Sequence, residues 1–101
     1  MLRIYDVALR VIEELRPAVR AIEVRDRDLA RQMRRAASSV VLNIAEGSGS
    51  SGGTRRERYR NALGSAREVV ACIEVARAWR YVDVDADILH EVIGTLVKVT
   101  R

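Results

Sequence analysis

The 101-residue sequence predicts an all-α fold, an antiparallel up-down-up-down four-helix bundle in a single domain spanning residues 1–101. Three observations predict it. Apolar residues recur at helical spacing over four segments, and no segment alternates as a strand does. Proline occurs once, and most glycines lie in one stretch, so long helices are permitted almost everywhere else. Short connections between the helices favour antiparallel neighbours.

Helix one is predicted over about residues 2–22, where apolar residues form one stripe. Pro17 removes an amide donor and clashes with the preceding turn, so we expect a kink there or a break that restarts the helix. The polar residues 25–28 then supply a turn and an aspartate N-cap for helix two.

Helix two is predicted over about residues 29–46 and ends at Gly47, a residue type suited to a C-terminal cap. Residues 47–53 hold four glycines and three serines, which is typical of a flexible turn. Thr54, followed three residues later by Glu57, predicts a capping box for helix three, which extends to about Tyr81.

Helix four is predicted to follow the aspartates of residues 83–87, which suit a helix N-terminus, and to run to about Thr100. Helices three and four carry apolar residues on more than one face, among them Val70, Val75, Trp79, Leu89 and Ile93. A helix that is apolar on two faces usually buries both of them. The sequence therefore predicts a homo-oligomer.

A second stripe on helix two is polar and has the same helical spacing as the apolar one; it consists of Gln32, Arg35, Ser39, Asn43 and Glu46. One interpretation is a polar site in which Glu46 acts as an acid or base. The other is a network of hydrogen bonds and charge pairs that fixes helix register or subunit packing. The structural interpretation is favoured, because one carboxylate without a nearby histidine or second acid supplies too few groups for acid–base catalysis.

Positive charge is concentrated in residues 25–60, which hold nine arginines against four acids. The densest cluster is Arg55, Arg56, Arg58 and Arg60; a second is Arg25, Arg27, Arg31 and Arg34. In an antiparallel bundle these clusters lie at opposite ends. The functional interpretation is salt-dependent contact with nucleic-acid phosphates, centred on the first cluster. The alternative, equally supported, is a solvated surface paired with neighbouring acids.

Other chemistries find little support. Ser39 is not expected to be the nucleophile of a hydrolase triad, since the single histidine, His90, lies far away on an apolar helix. One histidine and one cysteine cannot build a metal site, and the glycine-rich turn lacks the ending of a phosphate-binding loop, so no cofactor is expected. Cys72 is predicted to be a buried small hydrophobe. Tyr59 could stack on a base, but bundle packing is favoured.

No export signal or stretch of about 20 apolar residues is present, so a cytoplasmic location without membrane contact is expected.

Two sequence blocks carry a resemblance to a known family. The first is Gln32-x-x-Arg35-Ala36-x-x-Ser39-x-x-x-Asn43-Ile44-Ala45-Glu46-Gly47, and the second is Tyr59-x-x-Ala62-x-Gly64-Ser65-x-x-Glu68. The chain resembles the small four-helix bundle proteins encoded in intervening sequences of bacterial 23S ribosomal RNA genes. It differs from that pattern in its Gly/Ser-rich turn and in having Arg55, Arg56 and Arg58 where aromatic residues are usual.

The resemblance implies a homopentamer, and hence a ring-like assembly. It also implies kinship with the accessory variability protein of diversity-generating retroelements, a basic bundle that associates with a reverse transcriptase and with nucleic acid. We therefore expect a non-enzymatic homo-oligomeric scaffold or adaptor that binds RNA or DNA. The alternative is a protein–protein interaction module, for a reverse transcriptase or another protein, without a nucleic-acid role.

Overall fold

A computed structural model describes residues 3–101, so the predicted start of helix one at residue 2 lies outside the described residues. The elements, in chain order, are α1 (Arg3–Arg25), α2 (Arg27–Ser48), α3 (Gly52–Ala78), a short 3-10 helix (Ala86–Leu89) and α4 (His90–Val99). The described residues contain four α-helices and no strand, which confirms the predicted fold class.

Helix α1 is continuous through Pro17, so of the two expected alternatives, a kink or a break, the break is excluded. It also runs three residues beyond its predicted end, and only Asp26 separates it from α2. The Asp26 side chain accepts a hydrogen bond from the Leu29 amide at 3.0 Å. This confirms the predicted aspartate N-cap and explains how two long helices can be joined by one residue.

Helix α2 does not end at Gly47, as predicted, but continues to Ser48, with Gly49 as its C-cap. Gly47 is buried, and a Cβ atom built on it would lie 2.5 Å from Cε1 of Tyr59. A glycine is therefore required at position 47 because the Tyr59 ring approaches closely, and not because the helix ends there. The predicted turn over residues 47–53 shrinks to residues 49–51, because the helices extend into it from both sides.

The predicted capping box at the start of α3 is wrong, since Thr54 lies inside the helix and Ser51 occupies the N-cap without a side-chain hydrogen bond. At its other end α3 stops three residues before Tyr81. The Tyr81 amide donates to the Ala76 carbonyl and the Arg80 amide donates to the Arg77 carbonyl, both at 2.9 Å. This pair of bonds is a Schellman motif, which turns the chain away from the helix axis.

The aspartates of residues 83–87 begin a helical segment, as predicted, but it starts as a 3-10 helix. The Asp85 side chain caps it by accepting from the Asp87 amide at 2.9 Å. Helix α4 then ends at Val99, one residue before the predicted end.

Contacts between the helices fix their directions. Arg34 pairs with Glu23 beside the α1–α2 turn, so these helices are antiparallel. At one end of the α2–α3 pair Gln32 contacts Glu68, and at the other Glu46 contacts Arg58. Arg56, near the start of α3, contacts the Thr100 carbonyl at the end of α4, and α4 also packs on α1. The chain therefore alternates direction, in a body of 42 × 20 × 18 Å.

The core is aliphatic, as the composition predicts, and Tyr59 is its one buried aromatic residue among residues 3–101. The largest fully buried side chains come from all four α-helices and the 3-10 helix: Leu15, Ile22, Met33, Ile44, Ile73, Leu89, Leu96, Val69 and Val92. Part of the second apolar face of α3 and α4 is used within the chain, since Val70 and Ile93 pack partly buried against the core.

Candidate functional site

The polar stripe of α2 lies along its contact with α3. We call this contact the polar seam; its residues are Gln32, Arg35, Ser39, Asn43 and Glu46 on α2 and Arg58, Ser65 and Glu68 on α3. Within the described residues no polar or charged residue is buried, so the seam is a surface feature rather than a core network.

Hydroxyl groups form the middle of the seam. The Ser39 and Ser65 Oγ atoms are 2.7 Å apart and share a hydrogen bond between α2 and α3. The Asn43 amide nitrogen donates to the Ser39 carbonyl at 2.9 Å and to its Oγ at 3.1 Å. These half-buried groups satisfy one another across two helices, which fixes one register of α2 against α3.

Each end of the seam is closed by a carboxylate. Gln32 Nε2 donates to Glu68 Oε2 at 3.3 Å, and Arg58 Nε pairs with Glu46 Oε2 at 3.0 Å. The Arg58 and Glu46 side chains are 43% and 57% exposed, so this ion pair contributes about 1 kcal/mol at most. Because the Glu46 carboxylate is paired with Arg58, the arrangement supports the structural interpretation of the stripe over an acid–base site.

Arg35 differs from the rest of the seam. It is exposed and makes no hydrogen bond or ion pair with any residue in the described range 3–101. It borders two open grooves of about 500 Å³ and about 490 Å³, and the second also contains Leu42, which is 61% exposed. The middle of α2 therefore presents a cation and an apolar side chain together.

The predicted phosphate-binding cluster divides into residues with different partners. Arg55 Nε donates to the Gly47 and Ser50 carbonyls, and Arg56 donates to the Thr100 carbonyl. Carbonyl oxygens carry no net charge, so Arg55 and Arg56 keep their full positive charge while being held in place. Arg58 pairs with Glu46, and Arg60 is exposed with no partner among the described residues.

The second basic cluster lies at the opposite end of the bundle. Arg31 pairs with Asp28 at 3.2 Å and Arg34 pairs with Glu23 at 3.0 Å, which offsets two of its four charges. Arg25 and Arg27 flank the Asp26 cap, are exposed, and form no ion pair within the part of the chain that the structure describes.

Three other candidates are placed by the structure. Tyr59 is 6% exposed and packs against Gly47, so it is a packing residue, as favoured, and cannot stack on a base. Cys72 is buried, as predicted, and burial, with the nearby Glu68 carboxylate, raises the pKa of its thiol. His90 is exposed at the first position of α4.

Sequence reasoning missed one surface, at the end of α3. The Trp79 and Tyr81 rings stack with centroids 6.4 Å apart and an interplanar angle of 16°, and Trp79 is 66% exposed. The residue between them, Arg80, has a φ of 65°. A sequence signal existed: the chain's single tryptophan stands between Arg77 and Arg80 instead of inside an apolar stripe.

Among residues 3–101 no three His, Cys, Asp or Glu side chains lie close enough together to hold a metal ion. None of the described helices combines the length and the apolar character needed to cross a membrane.

A family model described as 23S rRNA-intervening sequence protein matches residues 1–100. No curated protein and no solved structure matches the chain.

Proposed function

The chain belongs to the 23S rRNA-intervening sequence protein family, and from this premise we propose that it is a non-enzymatic, cytoplasmic homo-oligomeric scaffold that binds the phosphate backbone of RNA or DNA. The observation that carries this proposal is that three arginines at one end of the bundle have no acidic partner among the described residues. Arg55 and Arg56 are anchored by carbonyl oxygens and Arg60 has no partner among the described residues, so three cations remain available together.

The setting of these cations suits a polyanion. Thr100, whose carbonyl holds Arg56, is followed by Arg101 and lies two residues after Lys98. The end of α4 therefore adds positive charge to the same end of the bundle. An anchored guanidinium loses less conformational entropy when it meets a phosphate than a free one does. Arg58 is left out of the site because Glu46 neutralises it.

Assembly is proposed on a separate observation. Leu42 on α2 is 61% exposed and borders the polar seam, and Val75 on α3 is 43% exposed. Val75 lies seven residues after Glu68, which places them on one side of α3. A face with apolar residues around a hydrogen-bonded centre is typical of a subunit contact. The pentamer and its ring-like form are what the family resemblance implies.

The mass in solution tests the assembly. We expect a homo-oligomer at micromolar concentration, and for a pentamer a mass five times the 11.3 kDa of the chain. Leu42→Asp should lower that mass, because it places a charge in the middle of the contact. Val24→Asp is the matched control, since Val24 is 87% exposed and lies on α1, outside the polar seam. A monomeric mass for the unaltered protein would remove this part of the proposal.

A salt series tests nucleic-acid binding. We expect affinity for structured RNA and duplex DNA to fall with salt, with a log–log slope that becomes shallower by about 1 for each phosphate contact removed. The variant Arg60→Gln tests one contact without disturbing a hydrogen bond. The variant carrying Arg55→Gln, Arg56→Gln and Arg60→Gln should lose most of the slope.

The matched control for the salt series is the pair Arg3→Gln with Glu91→Gln, an exposed ion pair outside the polar seam; it removes one positive and one negative charge and leaves the net charge unchanged. It should bind as the unaltered protein does. If an intact oligomer does not bind either nucleic acid at low salt, the proposal fails. The second candidate, a protein–protein interaction module for a reverse transcriptase or another protein, would then account for the exposed Leu42 and Val75.

A further inference from the structure

An aromatic stack protrudes from the end of the bundle opposite Arg55 and Arg56. Trp79 and Tyr81 are nearly parallel, and Trp79 is 66% exposed although it is the chain's single tryptophan. Tyr81, which is half-buried, supports the Trp79 ring from one side. An exposed indole held by a second ring is a preformed platform for another flat group.

The backbone that presents the stack is strained. Arg80 occupies the left-handed position of the Schellman motif, with a φ of 65°, where glycine is the favoured residue. A side chain at this position destabilises the fold relative to glycine. Strain of this kind points to a role for the side chain itself, and the Arg80 side chain contributes a positive charge beside Trp79.

The fold brings a second basic segment to the same place. The Tyr81 hydroxyl donates to Asp26 Oδ2 at 3.5 Å, so the α1–α2 turn lies against the stack although 55 residues separate the two in sequence. Arg25 and Arg27 flank Asp26 and form no ion pair within the described residues. At the end of α3, Glu74 and Asp83 share a surface depression with Arg77 and Arg80, so two acids offset two basic residues there. The excess of positive charge is therefore on the α1–α2 side.

We propose that Trp79, Arg80, Arg25 and Arg27 form a site for an unpaired nucleotide, in which a base stacks on the indole and the arginines contact its flanking phosphates. This inference rests on the proposed function. It adds to it a preference for single-stranded regions, because a base inside a duplex has no free face to offer. The unpaired arginines favour a nucleic acid over a second copy of the chain, whose own end would present the same charge.

Trp79 provides its own readout, because no other tryptophan contributes to the fluorescence. We expect a single-stranded oligouridylate to quench this fluorescence on binding. A fully paired duplex and inorganic polyphosphate, which offer phosphates without free bases, should bind without comparable quenching.

Substitutions of Trp79 test whether the bound base stacks on the indole. Trp79→Ala should weaken binding of the oligouridylate about 5- to 150-fold, while Trp79→Phe retains most of the affinity. Leu9→Ala, which truncates another exposed apolar side chain in the first half of α1, is the matched control and should bind normally.

Arg80→Gly separates function from structure. Because glycine relieves the strain at φ 65°, this variant should have a higher thermal unfolding midpoint and yet bind the single strand more weakly. A residue with only a structural role would not move stability and affinity in opposite directions.

The outcomes that overturn the inference are distinct from those that overturn the proposed function. If Trp79→Ala binds the single strand as the unaltered protein does, while the salt-dependent binding through Arg60 persists, the stacking site is wrong and the phosphate-binding role stands. If the Trp79 emission shifts to the blue with protein concentration alone, a second copy covers the ring, and the inference fails. If no nucleic acid binds, both proposals fail.

Discussion

Replacing Leu96 by alanine is expected to lower the free energy of unfolding by about 2–5 kcal/mol. Leu96 is completely buried, and α4 has only ten residues, too few for a stable helix by itself in water. The helix is therefore held by what it buries, mainly Val92 and Leu96 together with the preceding Leu89. Since domains of this kind are stable by about 5–15 kcal/mol, the loss is a large fraction of the total. Denaturant titration followed by circular dichroism measures it.

The matched control is Val99→Ala on the same helix. Val99 is 48% exposed, so its truncation should change stability by less than about 0.5 kcal/mol. Equal losses for the two variants would mean that α4 is not held by its buried face. Loss of α4 packing should also weaken the contact between Arg56 and the Thr100 carbonyl. Leu96→Ala is therefore expected to bind RNA less well than the unaltered protein, although its charge is unchanged.

Replacing Gly47 by valine is expected to destabilise the protein by about 3 kcal/mol or more. A Cβ at this position would lie 2.5 Å and 2.7 Å from two ring atoms of Tyr59, closer than side chains approach in folded proteins. Tyr59 is itself buried, so the ring cannot move aside without disturbing the core. Thermal or denaturant unfolding of the single variant measures the loss.

Two further variants identify the cause. Gly64→Ala, in the middle of α3, should stabilise the protein by about 0.5–1 kcal/mol, because an added Cβ meets no atom within 4 Å and alanine favours the helix. In a Tyr59→Ala background, Gly47→Val should lower the free energy of unfolding much less than it does alone, since the ring with which the valine clashes is gone. Additive losses would show that Gly47 is needed for a reason other than the approach of Tyr59.

Much of the candidate site could be predicted from sequence. The polar stripe on α2 was visible because five polar residues repeat at helical spacing, and helical spacing alone places them on one face. Their partners could not be predicted. The hydrogen bond between Ser39 and Ser65 depends on the register of two packed helices, which spacing within one helix does not specify.

The arginine cluster shows the same limit. Arg55, Arg56, Arg58 and Arg60 look equivalent in the sequence, yet within residues 3–101 only Arg58 meets a carboxylate. A helical turn of about 3.6 residues sends neighbouring side chains to different sides, and what each side meets depends on the other helices. Sequence gives the number of charges, while the partners decide how many remain available.

The sequence by itself determined the helical fold class, the aliphatic core and the aspartate cap that begins α2, because each depends on residues close together in the chain. Only the tertiary structure decided that Gly47 is a packing position and that Asp26 lies beside Tyr81. Both facts arise from contacts between residues far apart in sequence. The ends of α1 and α2 extended for the same reason: packing against a neighbouring helix stabilises extra residues that local propensity leaves marginal.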